Sequence, residues 1–177
     1  MFNNAGFGGV SGELDTLELG ERYRYTVDVL FTGVLAGIKH ASRAMKANGT
    51  GGSIINTASV AGLRGGWGPH VYTAMKAAVI NVTRSTALEL GPSKIRVNAI
   101  CPGFIATAIF AGQANMNWEQ RQQFISLLEQ TQAVATPIQR PGTGNDIASM
   151  ALFLASDEST FDRRAGLRRR RWPDGRG

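Results

Sequence analysis

The chain has 177 residues, long enough for one domain with a sizeable core, and a formal net charge of +6. Its single cysteine, Cys101, excludes an intrachain disulfide, and His40 and His70 have no metal-ligand spacing to each other or to that cysteine. No apolar run reaches the ~20 residues of a membrane span, and neither a signal peptide nor a repeat is present, so the expected setting is soluble and cytoplasmic.

Taken in order, the chain opens on Asn3-Asn4-Ala5-Gly6, and Gly6-Phe7-Gly8-Gly9 reads as loop because no strand-helix unit surrounds it. Val27, Leu30, Phe31, Val34, Leu35, Ile38, Ala41 and Met45 recur at spacings of three and four. That period predicts one long amphipathic helix from about Leu19 to Ala47, ending at Gly49. Ser53 to Ala58 is a short β-branched run bounded by glycine, and predicts a strand that leads to Ser59. A second helix is predicted from about Val71 to Leu90, stopped by Gly91-Pro92, and a second strand from Ile95 to Ile100, closed by Pro102-Gly103. A third helix is predicted from about Trp118 to Gln130. Thr143-Gly144-Asn145-Asp146 has the form of a capping box and opens a fourth, reaching Ala155. Strands alternating with helices predict an α/β fold with a doubly wound parallel sheet. Ligands of such sheets bind beyond the carboxyl ends of the strands, where Gly6, Ser59 and Pro102 are expected.

The chemistry centres on Ser59, Tyr72 and Lys76. Tyr72 and Lys76 are spaced i, i+4 and share one helix face. A phenol ionises near pH ~10, too high for acid-base work at neutrality. An ammonium ~4 Å from a phenolate, at an effective dielectric of ~20, contributes about 4 kcal/mol, or about three pKa units. Ser59 is placed to hold the oxygen of a carbonyl or alcohol while Tyr72 gives or takes its proton. The Tyr-x-x-x-Lys spacing alone is also that of a packed ring beside a solvated charge.

Five ordered motifs resemble the short-chain dehydrogenase/reductase family over about Phe2 to Ser159. Asn3-Asn4-Ala5-Gly6 looks like the turn after the family's fourth strand, and Gly52 to Ser59 like its fifth strand with the catalytic serine. Tyr72 to Ala78 resembles the catalytic helix, and Ile95 to Gly103 the sixth strand with its Pro-Gly turn. Ile147 to Asp157 resembles the helix before the last strand. The resemblance implies that Ser59, Tyr72 and Lys76 are catalytic, and that Asn3, Ala5, Gly6, Tyr72, Lys76, Pro102, Gly103, Ile105 and Thr107 contact a nicotinamide cofactor. It implies NAD or NADP, with a lean to NAD, and no metal. It places a mobile substrate lid around the third helix, and a homo-oligomer is expected of the intact parent through its two long helices.

Three departures accompany it. The glycine-rich turn that cradles a pyrophosphate is missing, and Met1 falls where the fourth strand would be ending, so strands one to three and most of strand four are expected to be absent. The fifth strand is then expected to present an apolar, unpaired edge. Leu30 stands where the family has an asparagine in a proton relay. Beyond a partial Rossmann-type domain at residues 1–160, residues 161–177 are rich in arginine. Met1 to Asp162 holds twelve Lys plus Arg against twelve Asp plus Glu, whereas Arg163 onward holds seven arginines against Asp174 alone. That tail reads as disordered or as the product of a shifted frame, with nucleic-acid or acidic-surface binding the lesser reading.

The expected function is hydride transfer between a nicotinamide cofactor and an alcohol or ketone, with an inactive fragment of such an enzyme as the alternative. Phe104 to Pro137 carries apolar and amide side chains and few charges, which suits a small neutral substrate. Trp67, Trp118 and Phe124 are candidates for the wall of its pocket.

Overall fold

Alternation within the two strand sequences divides the molecule into layers. The computed structural model describes residues 1–111 and 116–160. Strands β1 (Phe2–Asn3), β2 (Gly52–Thr57) and β3 (Ile95–Ile100) form a parallel sheet in the order β1-β2-β3. The β2–β3 register runs from Gly52 opposite Ile95 to Thr57 opposite Ile100. Ile54, Ile95 and Val97 point to one face and meet helices α2 (Gly33–Asn48) and α3 (His70–Leu90), where Val34, Ile38, Val79, Ile80 and Leu90 complete the main core. Ile55 and Ile100 point to the other face and meet Ala151 and Leu154 of helix α5 (Gly144–Ala155). Each fully buried leucine or isoleucine contributes about 1.5–3 kcal/mol, so both faces hold the sheet.

The first three residues cover part of the edge expected to be bare. Phe2 and Asn3 pair with Ile55 and Asn56. The Met1 ammonium donates to the Ser53 carbonyl at 2.8 Å, and the Ile55 amide to the Met1 carbonyl at 2.9 Å. The expectation of an unpaired edge on β2 is corrected by these contacts.

The predicted first helix is interrupted by a change of winding. Helix α1 (Glu21–Val27) passes into a π-helical stretch at Asp28–Thr32 and then into α2, which ends on Gly49 in the left-handed conformation at φ 71°. The wider π turn admits one extra residue, which a 3.6-residue period does not signal. Leu30 lies in that stretch and is fully buried.

Helix α4 (Trp118–Ala135) runs beyond the predicted end at Gln130 and starts from a reciprocal cap between Asn117 and Gln120. Helix α5 starts at Thr143 as predicted, its amide bonded to Asp146 Oδ2 at 2.8 Å. The Arg140 guanidinium grips that carboxylate at 2.6 and 2.9 Å and, with the Thr143 donors, holds it well below the usual carboxylate range. The arginine-rich tail after Phe161 lies outside the described residues.

Candidate active site

Where β2 ends, its carboxyl end delivers Ser59 to a crevice. Ser59 is extended at φ −169° and caps a 3-10 turn at Val60–Gly62, its Oγ accepting from the Ala61 amide at 3.1 Å. The hydroxyl proton remains free to donate. The Ala58 amide bonds the Ile100 carbonyl at 2.8 Å and the Val60 amide bonds the Pro102 carbonyl at 3.0 Å, which fastens the serine loop to the turn after β3. Gly62 then allows that turn to touch α3. A Cβ there would stand 2.6 Å from the Lys76 carbonyl carbon and 2.7 Å from the Ala77 nitrogen. Helix α3 and the serine loop are in backbone-to-backbone contact.

Tyr72 occupies the first turn of α3 and Lys76 the next. Lys76 is 4% exposed, and its Nζ donates to the Thr57 carbonyl at 2.8 Å. Its Nζ also stands 5.6 Å from the centroid of the Tyr72 ring. Burial pushes the lysine down to about 8, opposed by the Cys101 thiol nearby, so at pH 7 the ammonium form still dominates. Burial also pushes the Cys101 thiol up, and Cys101 packs partly against the main core.

A cavity of about 600 Å³ gathers most of the predicted residues: Gly6, Ser59, Tyr72, Lys76, Pro102, Gly103, Ile105 and Thr107 all line it. Ile105 is held there by its bridge to Gly142 at the entry to α5. A second cavity of about 660 Å³ lies beside the first and shares Ser59, Tyr72 and Gly103 with it. Its apolar wall includes Trp67, Ile109 and the paired rings of Phe104 and Phe110, whose centroids are 4.1 Å apart.

Asn3 and Ala5 are not among the residues lining either cavity. The Asn3 amide is spent inside the fold: Nδ2 donates to Asn56 Oδ1 at 2.7 Å, and a Cβ on Gly37 would collide with it. Its neighbour Asn4 lines the first cavity and accepts from the Thr57 hydroxyl at 2.8 Å. A doublet of identical residues does not reveal which member turns outward. Of the candidate aromatics, Trp67 reaches a cavity, whereas Trp118 is exposed and Phe124 lines neither. His70 is exposed at the start of α3 and lines neither cavity. Arg22 of α1 lines the second cavity and Arg121 of α4 the first, and no sequence signal marks either. Each lies on an exposed helix face where arginine is ordinary.

The whole arrangement has relatives. A family model described as enoyl-(acyl carrier protein) reductase matches residues 1–162. A short-chain dehydrogenase reductase of Arabidopsis thaliana, ATA1, is 42% identical over 166 residues, covering 90% of this chain and 59% of the relative. The chain belongs to the short-chain dehydrogenase/reductase family.

Other members agree in sequence and in fold. A 3-alpha-(or 20-beta)-hydroxysteroid dehydrogenase of Mycobacterium bovis is 39% identical over 161 residues, covering 91% of this chain and 55% of its own. The crystal structure of a 3-oxoacyl-[acyl-carrier protein] reductase from Brucella melitensis superposes with a TM-score of 0.71 at 36% identity, covering 90% of this chain and 57% of that one. A second reductase structure from that organism, with bound NAD, gives a TM-score of 0.69 at 34% identity over 90% of this chain and 56% of that one. This family member thus spans a little over half the length of the relatives it matches, within a Rossmann-type α/β fold.

Part of the crevice suits a nicotinamide. The Lys76 ammonium has three donors and gives one to Thr57, which leaves donors for ribose hydroxyls. Nothing lies within 4 Å of a Cβ built on Gly103, so a flat ring has room there. A glycine-rich turn opening a helix, which a pyrophosphate would need, is not found among the described residues. No group of three metal-ligating side chains occurs among them either, and no described helix is long and apolar enough to cross a membrane.

Proposed function

We propose that this chain carries the catalytic part of an NAD(P)-dependent oxidoreductase that interconverts an alcohol and a ketone. The observation that carries this reading is the position of Ser59 and Tyr72, which line both cavities, beside Lys76 in the first. Lys76, Pro102, Gly103, Ile105 and Thr107 would hold a nicotinamide, which would supply or take the hydride. Ser59 donates its hydroxyl proton to the substrate oxygen, with its other contact already fixed by the Ala61 amide. Tyr72 delivers the proton to that oxygen in reduction and removes it in oxidation. The Lys76 ammonium stabilises the negative charge left on the phenol oxygen, and keeps its position through Thr57.

The fit favours the nicotinamide half of the cofactor, so binding is the first test. Titration with NADH, followed by its fluorescence, is expected to saturate, and Lys76→Met to weaken it at least tenfold. Tyr72→Phe is expected to keep NADH binding and to abolish ketone reduction. Retained turnover in Tyr72→Phe would end this reading. A chain that keeps the site without turnover is the second reading, favoured by the missing pyrophosphate turn among the described residues, and absent NADH binding would select it. A homo-oligomer built through α1–α2 and α3, in the cytoplasm, belongs to the same proposal for the intact parent.

A further inference from the structure

Among the described residues, the second cavity has one charged residue in its wall, Arg22, and no acidic one. The backbone that carries it is anchored. The buried Thr26 hydroxyl donates to the Arg22 carbonyl at 2.9 Å and accepts from the Val10 amide at 3.0 Å, so the first turn of α1 is tied to the loop that forms the cavity edge. Gly9 permits this approach: it has φ +74°, and a Cβ there would fall 2.6 Å from Thr26 Cγ2. The Arg22 guanidinium itself makes no hydrogen bond or ion pair among the described residues, where Arg140 with Asp146 is the ion pair formed. Ser11 stands in the same wall, whereas Ser59 and Tyr72 belong to the wall shared with the first cavity.

We infer that the substrate is a ketone or alcohol carrying a carboxylate, and that Arg22 is the residue that selects it. A guanidinium offers paired N–H donors that match a carboxylate, and no acidic residue among the described lining of the cleft competes for them. The apolar wall of Trp67, Phe104 and Phe110 accommodates the carbon skeleton between the two polar ends. The cavity, at about 660 Å³, is within the range of small-molecule sites. This replaces the neutral substrate expected from Phe104 to Pro137, because the cation comes from α1, outside that stretch. It rests on the proposed role of Ser59 and Tyr72 as the pair that holds the reacting oxygen.

The test is a binding measurement on the full chain, with 4-oxopentanoate and its methyl ester as probes and tryptophan fluorescence as the signal. The keto acid is expected to bind about tenfold more tightly than the ester, the size of one charge-assisted contact at an exposed site. Arg22→Gln is expected to bring the ratio to about one, and Arg22→Lys to leave an intermediate ratio with a steeper loss in high salt. A ratio near one in the native chain, a ratio unchanged in Arg22→Gln, or no saturable binding of the keto acid would each overturn the inference. Tyr72→Phe separates the two claims: it is expected to keep the carboxylate preference, and turnover that survived in it would remove the catalytic reading while leaving Arg22 standing.

Discussion

The ammonium of Lys76 is bonded to the carbonyl of Thr57 at 2.8 Å, so the last residue of β2 fixes the cation that stands beside the Tyr72 ring. Strand and helix are joined by a charge at the point where both reach the crevice.

That buried charge gives stability a pH dependence of definite sign. Lys76 titrates at about 8 in the folded chain and at its ordinary 10.5 when unfolded. Below pH 8 both states hold the proton and the folded one bears the cost of burial. Between 8 and 10.5 the unfolded state binds more protons, so this group's contribution rises with pH. The full gain corresponds to about 3 kcal/mol at ~1.36 kcal/mol per pH unit. Urea denaturation from pH 7 to 10.5 is expected to show the rise in the native chain and a flatter profile in Lys76→Met; parallel profiles contradict it.

Gly62 is expected to tolerate no side chain. Gly62→Ala drives a methyl into the backbone of Lys76 and Ala77, which overpacking puts at about 1–3 kcal/mol. Gly65→Ala is the control, since nothing lies within 4 Å of its Cβ, and its expected change is within about 0.5 kcal/mol. Equal denaturation midpoints for the two variants would argue against the contact.

A buried amide chain joins β1, β2 and α3. Asn3 donates to Asn56, Asn56 Nδ2 to Thr83 Oγ1 at 2.9 Å, and Thr83 to the Val79 carbonyl at 2.7 Å. Thr83→Val keeps the shape and strands the Asn56 donor, at a cost of about 1–3 kcal/mol. Thr86→Val is the comparison: its hydroxyl bonds only carbonyls of its own helix, and the loss is expected to be smaller. Chemical denaturation of both variants measures the difference.

Arg96 clamps the end of α5. Its guanidinium donates to the Leu154 carbonyl at 2.6 Å, to Ser159 Oγ at 2.7 Å and to the Ser156 carbonyl at 3.0 Å. Arg96→Met is expected to raise amide hydrogen exchange at Ser156 and Ser159 at least tenfold while α3 keeps its protection. Uniform loosening of both helices would show a global effect instead.

Much of this architecture is legible in residue order, because the signals are local. Ile54 beside Ile55, which point to opposite faces of one strand, already say that both faces of the sheet are covered. Gly49 and Thr143 mark helix ends through backbone geometry and capping, which depend on a few adjacent residues. The π turn around Leu30 is silent, since a stripe of apolar residues survives one extra residue per turn. The choice between Asn3 and Asn4 depends on where Gly37 of another element passes, and the place of Arg22 on a loop tied through Thr26. Such facts arise from contacts between distant segments, and no window of sequence contains them.

On the proposed reaction, a prochiral ketone held by its oxygen between Ser59 and Tyr72, which line both cavities, would turn one face toward the first cavity and the other away from it. Hydride arriving from that side alone would make the alcohol a single enantiomer, so the residues that divide the crevice would set the handedness of the product.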